Sequence, residues 1–349
     1  MASACFLSLT PAGLYCAAGD FSIDPLRPVA RALITHAHSD HARAGHGAVL
    51  ATRETLSIMA IRLGAGFAGG QQPLAYGETL RLGSIDVSLH PAGHLLGSAQ
   101  IRMADKSQVV VASGDYKREP DPTCAPFEPL ACDVFITEAT FGLPVFRHSR
   151  TGDEIGKLLA SQRLFPDRAH LVGAYSLGKA QRVIALLRAA GYERPIYLHG
   201  AMERLTAYYA AEGIELGDLR SVALSDRAKL AGEIVICPPG ALQDLWSRKF
   251  PDPVAAFASG WMRVRARARQ RGIELPLVIS DHADWAGLTR TIMETGCEKV
   301  LVTHGEAEAL VHWARGAGIA AEPLNLLGYG DEDSETPAPV GENAPGESA

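Results

Sequence analysis

Two rhythms of apolar and polar positions divide the chain. From the start, short alternating stretches are separated by Gly and Pro turns: Phe6-Leu7-Ser8-Leu9, Leu14-Tyr15-Cys16, and Phe21-Ser22-Ile23 before Asp24-Pro25. Successive side chains on a strand point to opposite faces, so these stretches predict strands. Residues 30–34, 85–89, 99–103, 109–112 and 132–137 extend the series, and residues 52–63 have helical spacing. After Phe141 the rhythm changes. Residues 154–164, 179–190 and 202–212 read as helices, with short apolar runs at 171–174 and 195–198 between them. Such alternation predicts a parallel α/β unit. Strands of the first type return at 277–280 and 300–303, so the middle segment reads as an insertion that splits an outer domain.

The densest chemistry closes the predicted strand at 30–34. There Thr35-His36-Ala37-His38-Ser39-Asp40-His41 packs four potential metal ligands into six positions. In extended backbone His36 and His38 point the same way and can converge on one ion. Asp40 and His41 diverge, and reach a second ion only if the chain turns after His38. Neighbouring imidazoles at this density have little structural use. Other polar residues close apolar strands in the same way. His94 and Asp115 follow 85–89 and 109–112, Glu138 ends 132–137, and His282 and His304 follow 277–280 and 300–303.

At these positions the chain resembles the metallo-β-lactamase superfamily and, within it, the β-CASP nucleases. The matching stretches are Ser22-Ile23-Asp24, 35–41, 92–98, 113–116, 137–142, 279–283 and Thr303-His304-Gly305-Glu306. Leu14-Tyr15-Cys16 and Ala258-Ser259-Gly260-Trp261-Met262 are similar to the bacterial ligase-associated DNA exonucleases. The resemblance implies an α/β fold, a metallo-β-lactamase αββα sandwich with an inserted β-CASP α/β domain. Its parts would be residues 1–141 and 276–330 for the sandwich and 142–275 for the insertion. It implies His36, His38 and His94 on one metal, Asp40, His41 and His304 on another, and Asp115 bridging. Asp24 would orient the site from behind. Asp40, His282 and Glu138 would be catalytic, His282 as general acid and Glu138 fixing its tautomer or charge. A metal-bridged hydroxide would attack a phosphodiester, and His282 would protonate the leaving oxygen. Imidazole and carboxylate ligands without thiolate fit zinc or manganese.

Charge refines this picture. The formal net charge is −6, yet residues 330–349 hold six acids and no base, leaving the body balanced. An acidic total is therefore no objection to a nucleic-acid substrate. Rich in Pro, Gly, Glu and Ser, residues 331–349 read as a disordered acidic tail. The six cysteines are scattered without a Cys-x-x-Cys pair, which argues against a disulfide framework or thiolate zinc site. With no membrane-length apolar run and no signal-peptide pattern, a cytoplasmic location is expected.

Gly173-Ala174-Tyr175-Ser176-Leu177-Gly178-Lys179-Ala180 nearly spells a P-loop, but Ala180 stands where a magnesium-binding hydroxyl belongs. Nucleotide hydrolysis is excluded there; a phosphate held by Ser176 and Lys179 at the helix start is not. Arg263, Arg265, Arg267, Arg269 and Arg271 alternate, and on a strand would form one basic rail for a phosphate backbone. Lys117 and Arg118 would border the cleft, and Trp285 would sit in the core or stack on a base. The remaining histidines, His46, His90, His148, His170, His199 and His312, have no partner at ligand spacing and read as structural or surface residues.

The function expected is a DNA exonuclease acting 5′-to-3′ on single-stranded DNA in repair. A DNA ligase and a helicase are associates implied by the resemblance alone. The alternative is an RNA-processing β-CASP nuclease. His304 favours RNA, and the approach Ser22-Ile23-Asp24 favours DNA. A small-molecule metallohydrolase is a third reading, against which the long insertion argues.

Overall fold

The computed structural model describes residues 6–324. A first sheet holds β1 (Leu7–Thr10), β2 (Gly13–Cys16), β3 (Phe21–Ile23), β4 (Arg31–Leu33), β5 (Ala48–Ala51) and β6 (Gln71–Pro73) in chain order. β7 (Thr79–Leu82), β8 (Ile85–Pro91), β9 (Ala99–Ala104), β10 (Val109–Ala112) and β11 (Val134–Ala139) begin a second sheet. The chain then builds a third, wholly parallel sheet from β12 (His170–Gly173), β13 (Ile196–Leu198), β14 (Leu219–Ser221), β15 (Ile234–Cys237), β16 (Val254–Ala258) and β17 (Leu275–Leu277). Its spatial order is β14-β13-β15-β12-β16-β17. β18 (Lys299–Gly305) and β19 (Ala320–Pro323) return to complete the second sheet beside β11. The helices are α1 (Arg53–Leu63), α2 (Thr151–Leu164), α3 (Lys179–Ala189), α4 (Gly200–Ala211), α5 (Arg265–Gln270), α6 (Trp285–Thr295) and α7 (Ala307–Gly316).

Alternation along the strands sorts the side chains into layers. Leu33 and Leu50 face the second sheet and pack with Val87, Ile101 and Met103. Their neighbours Ala32 and Val49 point the other way, onto Ile58 and Met59 of α1. The far face of the second sheet rests on Leu288 and Ile292 of α6 and Leu310 of α7. Burying each such side chain contributes roughly 1.5–3 kcal/mol. The result is the αββα sandwich. The third sheet and α2, α3 and α4 share a core with α1, through Leu158, Val183 and Met202.

β8, β10, β11 and β18 run in the same direction, so their C-terminal ends lie along one edge. The segments carrying His94, Asp115, Glu138 and His304 lie there, while 35–41 follows β4 of the first sheet. In β18 the register slips against β11, from Thr137 opposite Val302 to Ala139 opposite Gly305. Thr303 and His304 therefore face the single residue Glu138, a bulge that turns His304 out of the pleat at φ 55°.

Two local expectations are corrected. The strand expected at 277–280 is the end of β17, which pairs with β16 in the third sheet. Past it the backbone leaves the sheet, and Val278 N–H donates to Glu154 at 3.0 Å. The arginine run is no strand either. Residues 260–263 form a 3-10 turn and α5 follows, with Ala268 as its buried contact. Ala and Arg favour helix, and burial of Trp261, Met262 and Ala268 decides the local period. The acidic tail at 331–349 lies outside the described residues. Among those described, no helix is long and apolar enough to cross a membrane.

Candidate metal centre

The strand ends bring every expected ligand together. His36, His38, His94 and Asp115 offer ligand atoms within 4.8 Å of one another, as do Asp40, His41 and His304. Asp115, Glu138 and His282 form a third group by the same measure. His36 Nε2 and His41 Nε2 each lie 3.4 Å from Asp115 Oδ2, which places that carboxylate between the two ligand sets. The rings of His41 and His304 stack at 4.8 Å.

Behind them stands a frame of hydrogen bonds. Asp24, itself at φ 42°, accepts from Thr35 N–H at 2.8 Å and from Thr35 Oγ1 at 2.6 Å. Its Oδ2 also lies 2.8 Å from His41 Nδ1, leaving Nε2 to face the centre. Thr35 Oγ1 contacts His36 Nδ1 at 3.0 Å. His38 Nε2 lies 3.3 Å from the Leu177 carbonyl, and His94 Nδ1 lies 3.0 Å from the Asp281 carbonyl.

The electrostatics suit a cation. Burial pushes the imidazoles of His36 and His38 well below the usual range. Burial, then the neighbouring histidine charges, takes His94 and His304 down to about 3. Neutral imidazoles are what a divalent ion binds. His41 is raised: burial opposes its charge, but Asp115 and Asp40 outweigh burial. Burial lifts Asp40 to about 6. His36 Nε2, Asp40 Oδ1 and Asp115 Oδ1 are buried without a hydrogen bond. Buried polar atoms that converge unpaired are costly unless something binds among them, so the donor set fits a pair of divalent ions.

His282 is different. Its Nδ1 lies 2.9 Å from Glu138 Oε2, while Glu138 Oε1 accepts from Tyr116 N–H at 2.8 Å. Burial resists a charge on the ring, yet Glu138 pushes its pKa up to about 10.

No family model matches the chain. A protein from Opitutus terrae named "Probable DNA ligase" is 28% identical over 340 residues, 95% of this chain and 33% of that protein. A ribonuclease from Thermus thermophilus is 31% identical over 229 residues, 55% of this chain and 53% of the ribonuclease. A transcription termination factor from Methanocaldococcus jannaschii is 28% identical over 237 residues, 56% of this chain and 36% of the factor. The chain is similar to β-CASP nucleases of the metallo-β-lactamase superfamily. It spans about a third to about half the length of these curated relatives. A solved structure of a protein of unknown function from Enterococcus faecalis shares the fold, with a TM-score of 0.53 at 14% identity over 78% of this chain and 74% of that one.

The expected substrate residues fare less uniformly. Lys179 is buried, and its Nζ lies 3.3 Å from Asp281 Oδ2. The amides of Gly178, Lys179 and Ala180 are already taken by Gln181 Oε1 and the Leu177 and Tyr175 carbonyls. That loop is thus closed on itself, and the phosphate expected at Ser176 and Lys179 meets no unused amide among those three. Arg263 lies in the 3-10 turn and Arg265 and Arg267 on α5, so the three form no single-faced strand rail; Arg267 lies 3.8 Å over the Trp261 ring. Lys117 is buried against the Ser280 carbonyl at 2.7 Å, whereas Arg118 reaches Thr291 at 2.8 Å and Glu294 at 2.6 Å on α6. Trp285 and Trp313 line an open cleft of about 830 Å³ with Leu143, Glu306 and His312. Of the histidines set aside, His148 stands 4.6 Å from Phe141 with a buried, unbonded Nε2. Residues missed from sequence are Arg182, Asp121 and Asp281. They carry no ligand spacing, and their partners are distant in the chain.

Proposed function

We propose that this chain is a two-metal phosphodiesterase, a 5′-to-3′ exonuclease on single-stranded DNA that serves repair in the cytoplasm. The observation that carries the chemistry is the buried His and Asp set beside the paired His282 and Glu138. His36, His38 and His94 would hold one ion, Asp40, His41 and His304 the other, with Asp115 shared. Bound there, zinc or manganese would supply a nucleophile at neutral pH and positive charge against phosphoryl oxygens. His282, kept cationic by Glu138, gives a proton to the departing sugar oxygen. Asp24 holds the His41 ring so that Nε2 faces inward. Arg263 and Arg265, which are exposed, would offer charge to the strand's backbone.

DNA is supported by the relative named as a DNA ligase, whose match takes in 95% of this chain. That name also supports a functional association with ligation. RNA processing is the second reading, favoured by the ribonuclease from Thermus thermophilus and an RNase from Saccharolobus solfataricus. Matched single-stranded DNA and RNA, labelled at one end and with or without a 5′-phosphate, separate the two. Metal-free protein re-supplied with Mn²⁺ or Zn²⁺ should release mononucleotides from the 5′ end of DNA, and His38→Ala should release none. Cleavage of RNA alone would move the chain to RNA processing. Inertness toward both polymers would favour a small-molecule hydrolase.

A further inference from the structure

The largest fully buried side chain is a cation, Arg182, on the second turn of α3. Its guanidinium donates to Asp121 Oδ2 and to the Ser280 carbonyl, pairs with Asp281 Oδ1 at 3.1 Å, and reaches the His94 carbonyl at 3.4 Å. Lys179, one turn earlier, pairs with the other oxygen of Asp281 at 3.3 Å. Lys117 joins them, donating to the Ser280 carbonyl at 2.7 Å and pairing with Glu119 at 3.0 Å. Three cations thus face three carboxylates, all buried but Glu119 at the solvent edge, and such pairing is the condition under which buried charge persists.

The cluster touches the metal centre at two places. The Asp281 carbonyl meets Nδ1 of His94, leaving Nε2 for the centre. Asp281 also precedes His282, whose backbone N–H donates to Ser280 Oγ at 3.0 Å. A third tie comes from the loop ahead of α3, where the Leu177 carbonyl faces His38 Nε2. A cluster that merely glued α3 to the sandwich would need no carbonyl aimed at either imidazole.

We infer that Arg182 and Lys179 are positioning residues for the hydrolytic site. Through Asp281 they set the ring of His94 and the loop that carries His282. The segment bearing the third sheet thereby completes the first ligand set, rather than simply covering it. This rests on the reading of His94 as a metal ligand and His282 as the proton donor.

The test compares full-length wild type with Arg182→Lys, Arg182→Gln and Asp281→Asn. Zn²⁺ and Mn²⁺ affinities come from chelator competition, kcat and KM from the preferred oligonucleotide, and folding from circular dichroism and thermal unfolding. Lysine keeps the charge but cannot span Asp121, Asp281 and two carbonyls at once. Arg182→Lys should therefore stay folded and lose about 10- to 100-fold in affinity for one ion only, the effect usual for groups that orient ligands. Its kcat should fall with KM unchanged, and Arg182→Gln should be worse on both readouts. If Arg182→Lys does not fold, Asp281→Asn, which keeps the backbone carbonyl, should show the same one-ion loss. Folded variants with both affinities and kcat unchanged would overturn the inference. A wild type that binds two ions yet cleaves neither DNA nor RNA would instead sink the nuclease reading, leaving the one-ion loss to decide the positioning role.

Discussion

Among the imidazoles at this centre that are not candidate metal ligands, His282 is arranged to carry a proton. Burial drives His36, His38, His94 and His304 toward the neutral form. Burial also opposes a charge on His282, whose side chain is 12% exposed, but the Glu138 carboxylate at 2.9 Å outweighs it and raises its pKa to about 10. The sign of the pH dependence follows. A general acid works while protonated, so kcat should fall as pH rises through the His282 pKa. Nearby divalent cations disfavour a second positive charge, which places that fall below 10. Glu138→Gln keeps a hydrogen-bonding oxygen and removes the charge. In the pH profile of kcat its alkaline limb should shift to lower pH, with KM little changed. His282→Ala should lose about 10²- to 10⁴-fold in kcat at neutral pH. An unshifted limb in Glu138→Gln would mean that Glu138 only shapes the backbone at Tyr116.

The element that aims a ligand by departing from regularity is β18. Its bulge places His304 at φ 55° and depends on Gly305, at φ 79°. A Cβ on Gly305 would stand 2.3 Å from the Ala139 carbonyl oxygen, so β18 must move if anything larger is placed there. Gly305→Ala should cost about 1–3 kcal/mol in thermal unfolding and weaken the ion held by His304. Gly77→Ala is the control: it shares a positive φ of 76° but meets nothing within 4 Å, so it should strain the backbone without touching metal affinity. Equal metal binding by both variants would rule out the bulge as the device. The clustering of the candidate ligands was legible because the predicted strands end at 34, 112 and 303 and a His or Asp soon follows each. The bulge was not legible, since a one-residue slip leaves no mark in the pattern of β11 or β18. Arginine alternation misled for a related reason. Exposed charges do not set backbone period; the burial of Trp261 and Ala268 does. The Lys179 loop looked like a phosphate cradle because Gly and Lys stand at the right spacing. Its amides are consumed by Gln181 and two carbonyls, and its lysine by Asp281 more than a hundred residues away.

Across the whole molecule, the centre gathers segments from both sheets of the sandwich and the loops before α3 and α6. Without cations it leaves His36 Nε2, Asp40 Oδ1 and Asp115 Oδ1 buried without a hydrogen bond, a cost that bound ions would relieve. Ions that bind only the folded chain should stabilise it by about 2.7 kcal/mol at a hundred times their dissociation constant. Chelated protein should accordingly melt at lower temperature, and Zn²⁺ or Mn²⁺ should raise the midpoint until two equivalents are bound. The regional response should be uneven. Amide exchange should slow most in residues 35–41, 92–98 and 278–284, which meet at the centre, and least in β13 and β14 at the far edge of the third sheet. The segment 177–182 should follow the centre rather than its own sheet, because Leu177 and Arg182 contact His38 and His94. Protection gained evenly over the whole third sheet would indicate general tightening of the fold. Protection confined to the sandwich would show that α3 does not sense the metals.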